Sequence, residues 1–241
     1  MSLVLSELDQ SRFGVVTAKA TARHVDEFDR IMEACSAQKV EFLILRVDSS
    51  DLPVVQAAEK QGAFITDALL YFEKTLSSGS ALILPDSVRL RKAEAEDASR
   101  IGHLASQVFR DYDGHYHTDP RLPKDKADQV YSSWAEAACI NPQVADEVLI
   151  LERESEIIGF SALKLVEPQA FDCSLLGVSP LARREGLFRS LLQGSMDWGL
   201  SRGLTTMEYS TQLTNVPAQR GLCKVGFLPT KSCYTLHKWF V

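Results

Sequence analysis

From Phe171 to Leu192 the chain carries a strand straight into a helix through a short basic turn, FDCSLLGVSPLARREGLFRSLL. Phe171–Val178 is apolar and strand-like, and Pro180 stops it. Leu187, Leu191, Leu192 and Met196 then recur at helical spacing. This arrangement puts a helix N-terminus at a strand end, where the first N–H groups lack partners and carry partial positive charge. A phosphate is stabilised there, and Gly186 lets a ligand approach the backbone closely. The same residues also read as an ordinary turn with solvated arginines.

The surrounding pattern alternates strands and helices. Ahead of the junction, Val88–Ala93 reads as a strand. Ile101, Leu104, Ala105, Val108 and Phe109 mark one helical face, and Val130, Tyr131, Trp134 and Ala138 a second. Between them lies a polar, aromatic loop, DYDGHYHTDPRLP (111–123). Glu147–Arg153 and Ile157–Leu165 flank polar residues and predict a hairpin. After the junction, Leu204–Gln212 reads as a strand, Pro217 opens a helix that stops at Gly226, and Phe227–Phe240 closes as strand. The N-terminal part reads as a smaller β-α-β-α-β unit: strand Phe13–Ala20, helix around Phe28 and Ile31, strand Glu41–Val47, helix from Asp51 to Gly62, and strand Ala63–Thr75. Ser-Ser-Gly-Ser-Ala at 77–81 has linker composition, so two units are expected, 1–80 and 81–241.

The 241 residues have an ordinary globular composition, 45% hydrophobic and 24% charged. No apolar run approaches the ~20 residues of a membrane span, and the N-terminus lacks the pattern of a signal peptide, so a cytoplasmic protein is expected. Five scattered cysteines with no CxxC pair argue against a disulfide framework and structural zinc. A net charge of −6 disfavours a nucleic-acid partner. Yet residues 171–241 carry eight basic and four acidic residues, a surplus of +4 suited to a compact anionic ligand.

The junction resembles the acyl-CoA-binding motif of the GCN5-related N-acetyltransferases (GNAT). Val178, Pro180, Arg183, Gly186 and Leu187 match the pattern Val-x-Pro-x-x-Arg/Gln-Gly-x-Gly-x-Gly/Ala, while Arg184 and Phe188 replace two of its glycines. A second segment, TQLTNVPAQRGLCKVGF (211–227), is similar to the family's Asn-x-x-Ala-x-x-x-Tyr-x-x-x-Gly-Phe signature. Asn215, Ala218, Gly226 and Phe227 match, and Leu222 stands where the family has tyrosine. The stretch from Ile101 to Trp134, with His115, Tyr116, His117, Thr118, Asp119, Pro120 and Arg121, looks like nucleotide-sugar acetyltransferases of the TDP-fucosamine type. So do the terminal residues Tyr234 to Trp239 and the two-part layout, with a truncated α/β unit first.

This resemblance implies an α/β fold with a central mixed sheet flanked by helices, and direct acetyl transfer from acetyl-CoA to a small-molecule amine. Acetyl-CoA would enter between parallel strands Phe171–Val178 and Leu204–Gln212. Main-chain groups near Leu176 and Val178 would bind the pantetheine. The N–H groups of Arg184, Glu185, Gly186, Leu187, Phe188 and Arg189, beside Arg183 and Asn215, would hold the pyrophosphate. His115, His117, Asp119 and Arg121 would meet the acceptor, with His115 and His117 also readable as bases. With Leu222 unable to donate a proton, Tyr209, Tyr234 and Cys223 are candidate acids. His115 and His117 lack a third ligand at metal spacing, so no metal is expected. The N-terminal unit would cover the sheet or form a homodimer face. Other amines (an amino acid, polyamine, antibiotic or protein N-terminus) and a non-catalytic acyl-CoA-binding protein remain open alternatives.

Overall fold

The computed structural model describes residues 2–77, 82–110 and 112–240. The chain runs β1 (Ser2–Leu5), α1 (Glu7–Phe13), β2 (Thr17–Ala22), α2 (Val25–Ala37), β3 (Phe42–Asp48), α3 (Leu52–Lys60) and β4 (Phe64–Thr75). It continues through β5 (Val88–Lys92), α4 (Ala98–Val108), α5 (Lys124–Ile140), β6 (Glu147–Arg153), β7 (Glu156–Glu167) and β8 (Ala170–Val178). The last elements are α6 (Leu187–Ser201), β9 (Thr206–Gln212), α7 (Val216–Val225) and β10 (Leu228–Trp239).

The described strands form one mixed sheet in the order β1-β2-β3-β10-β4-β9-β8-β7-β6-β5. Pairing is antiparallel except at β2/β3 and β8/β9. The last strand lies between β3 and β4, so strands from the two expected units share one ladder. Of the linker 77–81, residues 78–81 lie outside the described residues, as does the expected boundary at 80/81.

The N-terminus departs from the expected strand at Phe13–Ala20. Ser6 caps a seven-residue helix by accepting from the Asp9 N–H, and Gly14, at φ 76°, ends it. Phe13 is therefore the last helical residue, and the strand starts at Thr17.

Apolar residues cover both faces of the sheet. Leu187, Leu191, Leu192 and Met196 of α6 pack with Phe171, Cys173, Leu176 and Met207. Phe28 and Ile31 of α2 and Val54, Val55 and Ala58 of α3 pack on Leu43, Leu45 and Leu236. Opposite them, Ile101, Leu104 and Ala105 of α4 meet Val148, Ile150, Phe160 and Leu175. Leu175 and Leu176 thus serve opposite cores. A bulge at Ser174 in β8, opposite the Ala162/Leu163 step of β7, resets which face each following residue takes.

Candidate active site

The two central parallel strands pair for only three rungs, Ala170–Thr206, Phe171–Met207 and Asp172–Glu208. Beyond Asp172 they part, which leaves the β9-facing backbone edge of β8 without a ladder partner. The opening leads to a cavity of about 580 Å³, walled by Cys173–Leu176 of β8 and Tyr209–Gln212 of β9. It runs across the sheet beneath the 112–123 loop to α1, β2 and β3.

The basic junction stands at the far end of β8. Ser179 Oγ accepts from the Leu181 N–H over a short 3-10 turn, Pro180–Ala182. Arg184 (φ 70°) and Gly186 (φ 81°) then adopt left-handed conformations, which turn the chain into α6. Gly186 is the N-cap, and no side chain caps the helix. Among the described residues, the main-chain N–H groups from Arg184 to Arg189 have no acceptor. A buried orphan run would be costly, but Arg183, Arg184, Glu185, Gly186 and Arg189 are exposed. A Cβ built on Gly186 meets nothing within 4 Å, so the space above these donors is open. A tight turn of this kind, with successive N–H groups left without partners, makes an anion-binding concavity. Open donors, exposed arginines and an unpaired strand edge together suit a pyrophosphate joined to an extended pantetheine arm. Asn215 accepts from the Ala218 N–H to cap α7, and its amide donates to Thr211 Oγ1 at the cavity wall.

At the opposite end, one hydrogen-bonded chain ties the polar loop to the last strand. Asp119 Oδ2 is 2.7 Å from His237 Nδ1, and His237 Nε2 is 2.8 Å from His115 Nδ1. Trp239 Nε1–H also donates to Asp119 Oδ2, and the Arg121 N–H to Oδ1. Asp119 and His237 are fully buried, whereas His115 lines the cavity. Burial opposes ionisation of Asp119, but the donors from His237, Trp239 and Arg121 outweigh it and hold the carboxyl below its ordinary value. Burial lowers His237 despite Asp119, and burial together with His237 lowers His115 well below the ordinary histidine value.

Beside this chain, buried Asp9 accepts from Lys19 Nζ (2.6 Å), Arg12 Nη1 (3.1 Å) and the Tyr116 hydroxyl (3.0 Å). Arg46 also lines the cavity and forms no ion pair among the described residues. His117 instead bonds Asp128 and the Gly114 N–H, and the exposed Arg121 lies over the Trp239 ring. Neither lines the cavity, so of the four expected acceptor residues His115 meets it and Asp119 is linked to it through His237 and His115. No group of three or more metal-ligating side chains occurs among the described residues.

The sequence profile of the Acetyltransferase (GNAT) family matches residues 107–227. The chain belongs to this family. It is 23% identical over 234 residues to the spore coat polysaccharide biosynthesis protein SpsD of Bacillus subtilis (strain 168), covering 93% of this chain and 76% of that protein. Its fold is similar to a GCN5-related N-acetyltransferase from Kribbella flavida, with a TM-score of 0.62 at 15% identity over 92% of this chain and 81% of that one. A GCN5-related N-acetyltransferase from Sphaerobacter thermophilus aligns with a TM-score of 0.60 at 15% identity, over 82% of this chain. The match spans 59% of the Sphaerobacter chain.

The departures from the GNAT motifs have local explanations. Phe188, in place of a small residue, lies against α7, where a Cβ on Gly221 would sit 2.7 Å from its ring. The helix start accommodates Phe188 because its neighbour across the helix pair has no side chain. Leu222 is fully buried in the core beneath α6. Of the three candidate acids, Tyr209 lines the cavity, while Tyr234 packs against the α2/α3 core and Cys223 is exposed on α7. Burial pushes the Tyr209 hydroxyl well above its ordinary value, so it keeps its proton at neutral pH. Val178 packs against the α6 core, and Leu176 lines the cavity.

Asp9, Arg46 and Tyr112 also line the cavity and His237 stands behind His115, and sequence reasoning assigned none of them. His237 stands 122 residues from His115, and they meet because β10 inserts between β3 and β4. The one sequence signal was the terminal segment Tyr234 to Trp239, which carries His237 among otherwise strand-like residues.

Proposed function

We propose that this GNAT chain transfers an acetyl group from acetyl-CoA to the primary amine of a small molecule, and that the acceptor is a nucleotide-linked amino sugar. The observation that carries the reading is the parting of β8 and β9 after Asp172, which opens a passage into the 580 Å³ cavity. The N–H groups of Arg184–Arg189 would hold the pyrophosphate, with Arg183 and Asn215 beside it. The unpaired β8 edge around Leu176 and Val178 would hold the pantetheine. Bound there, the thioester supplies an acetyl carbon open to attack by a neutral amine. Tyr209, protonated at the cavity wall, would give a proton to the leaving sulfur.

Two features support the sugar acceptor. The relative SpsD is named for polysaccharide biosynthesis. Within the cavity, Arg12 and Lys19 share Asp9, while Arg46 has no ion pair among the described residues and is a cation that would meet an anionic group such as a diphosphate. No described helix is long and apolar enough to cross a membrane.

The test is thiol release from acetyl-CoA with a panel of nucleotide-linked amino sugars, free amino sugars, amino acids and polyamines, with products identified by mass spectrometry. Turnover favouring the nucleotide-linked sugars is expected. Preference for an uncharged or cationic amine would refute the acceptor assignment. Saturable binding with no turnover on any amine would favour an acyl-CoA-binding protein.

A further inference from the structure

The cavity meets an intact hydrogen-bonded chain whose inner end is a buried carboxylate. Its proton positions follow from chemistry. An ionised Asp119 can only accept, so His237 Nδ1 must carry a hydrogen. A neutral His237 then presents a lone pair at Nε2. That lone pair requires a hydrogen on His115 Nδ1, 2.8 Å away. The lone pair of His115 is left at Nε2, which makes no hydrogen bond to the described residues while its ring lines the cavity. Three residues on two distant segments thus fix one imidazole tautomer, with the basic nitrogen at Nε2. Phe42 packs edge-on to His237 at 4.7 Å and Tyr116 lies 3.9 Å from the His115 ring, so both rings are held.

We propose that His115 Nε2 accepts the proton of the acceptor ammonium, and that Asp119 and His237 act through it as positioning residues. This rests on the acetyl-transfer reading above. A typical primary amine is protonated at neutral pH and has no lone pair with which to attack. His115 takes one proton from the ammonium and becomes an imidazolium. The freed nitrogen pair forms the C–N bond, and the C–S pair leaves with sulfur. The Tyr209 hydroxyl gives its proton to the thiolate and recovers one from the new ammonium nitrogen. His115 returns its proton to solvent as product leaves. The sum is amide, thiol and one proton from ammonium and thioester. In the imidazolium, His115 Nδ1–H still donates to His237 Nε2, and the Asp119 carboxylate still holds the His237 Nδ1–H.

Charged or titratable groups near this histidine are Lys19 on β2, Arg46 on β3, His237 on β10, and Tyr116 and His117 in its own loop; Asp9 on α1, which acts on His237, and Asp67 on β4 line the same cavity. Lys19 and Arg46 favour its neutral form, which a proton acceptor requires.

The test combines kinetics with a readout independent of turnover. Nitrogen-15 NMR of the imidazoles in the wild-type protein at pH 7 is expected to show Nδ1 protonated and Nε2 bare on both His115 and His237. A proton on His115 Nε2 would overturn the proposal whatever the acceptor proves to be. In the active enzyme, His115→Gln is expected to lower kcat by about 10²–10⁴-fold with acetyl-CoA affinity unchanged. Its rate should climb about tenfold per pH unit below the amine's pKa as the ammonium loses its proton to solvent instead. Asp119→Ala removes the acceptor that keeps a hydrogen on His237 Nδ1, so neither His237 nor His115 is held in one tautomer. It should lower kcat with little change in acceptor KM and alter the pH profile, which a purely structural role would not. Equal kcat for His115→Gln and wild type at pH 7 would refute the proposal and leave acetyl transfer standing. Absence of turnover in the wild type would refute acetyl transfer, with the NMR result still deciding the relay.

Discussion

Gly186 and Gly203 form a matched pair of glycines at opposite ends of α6, and replacing each by alanine separates fold from ligand binding. Both are left-handed, at φ 81° and 73°, and a Cβ on either meets nothing within 4 Å. The structural cost of Gly→Ala is therefore conformational alone, about 1 kcal/mol at each site. In a chain of this size that lowers Tm by roughly 2–4 °C. The two residues flank the fifteen-residue α6, about 22 Å long, and only Gly186 adjoins the unpartnered N–H groups. A methyl group there stands where a phosphate oxygen would approach. Loss of one charge-assisted hydrogen bond costs about 1.5–3 kcal/mol. Acetyl-CoA affinity of Gly186→Ala should therefore fall by tenfold to more than a hundredfold, at about 1.4 kcal/mol per decade. Gly203→Ala should bind like wild type. Thermal melts and calorimetric titrations of the three proteins read both quantities. Equal acetyl-CoA affinity in the two variants, with equal Tm losses, would refute the placement of the pyrophosphate.

Further outcomes follow from the packing and charge around the cavity. Gly221→Ala alone should lower Tm because its Cβ would meet the Phe188 ring at 2.7 Å; on a Phe188→Ala background it should raise Tm, since a helical Gly→Ala gain of up to about 1 kcal/mol is then unopposed. The absence of that sign reversal in paired melts would contradict the coupling. Burial, with Glu208 beside it, pushes Asp172 up to about 7 from 3.8. The fold thus favours the neutral acid, and this residue's contribution to stability falls as pH rises from about 4 to 7. Asp172→Asn should raise Tm more at pH 8 than at pH 5, and an equal gain at both would exclude a raised folded-state pKa. Leu222→Tyr places a larger, polar side chain in a fully buried site and should cost about 1–3 kcal/mol without increasing turnover. An unchanged Tm with faster turnover would show that position 222 can reach the reacting sulfur.

Local chemistry made much of the second unit legible. The hairpin Glu147–Arg153 and Glu156–Glu167 turns at Glu154 and Ser155, both left-handed, where the polar residues had placed it. Helix α7 has proline near its start and Gly226, at φ 92°, as its left-handed end. Both are written within a dozen residues of chain. Helix α1 escaped notice because seven residues give too few turns for an apolar period, and its signals are Ser6 and Gly14 alone.

The site was less legible because it is assembled over long separations. The basic turn proposed to hold phosphate is contiguous and showed itself as Pro180, Gly186 and three arginines. The acceptor end draws on α1, β3, the 112–123 loop and β10, brought together by the insertion of the last strand. Spacing alone therefore could not pair His115 with His237, nor show that His117 turns to Asp128. The replacement of a small residue by Phe188 likewise makes sense only beside Gly221, across the α6/α7 contact.

The central claim is that the parted strands and the helix start form one acyl-CoA site, and the structure of the protein bound to CoA tests it most directly. The account predicts pyrophosphate oxygens on the N–H groups of Arg184–Arg189, pantetheine along the unpaired edge of β8, and the sulfur beside Tyr209. CoA bound away from the β8/β9 opening, or an opening closed by side chains under saturating CoA, would contradict it.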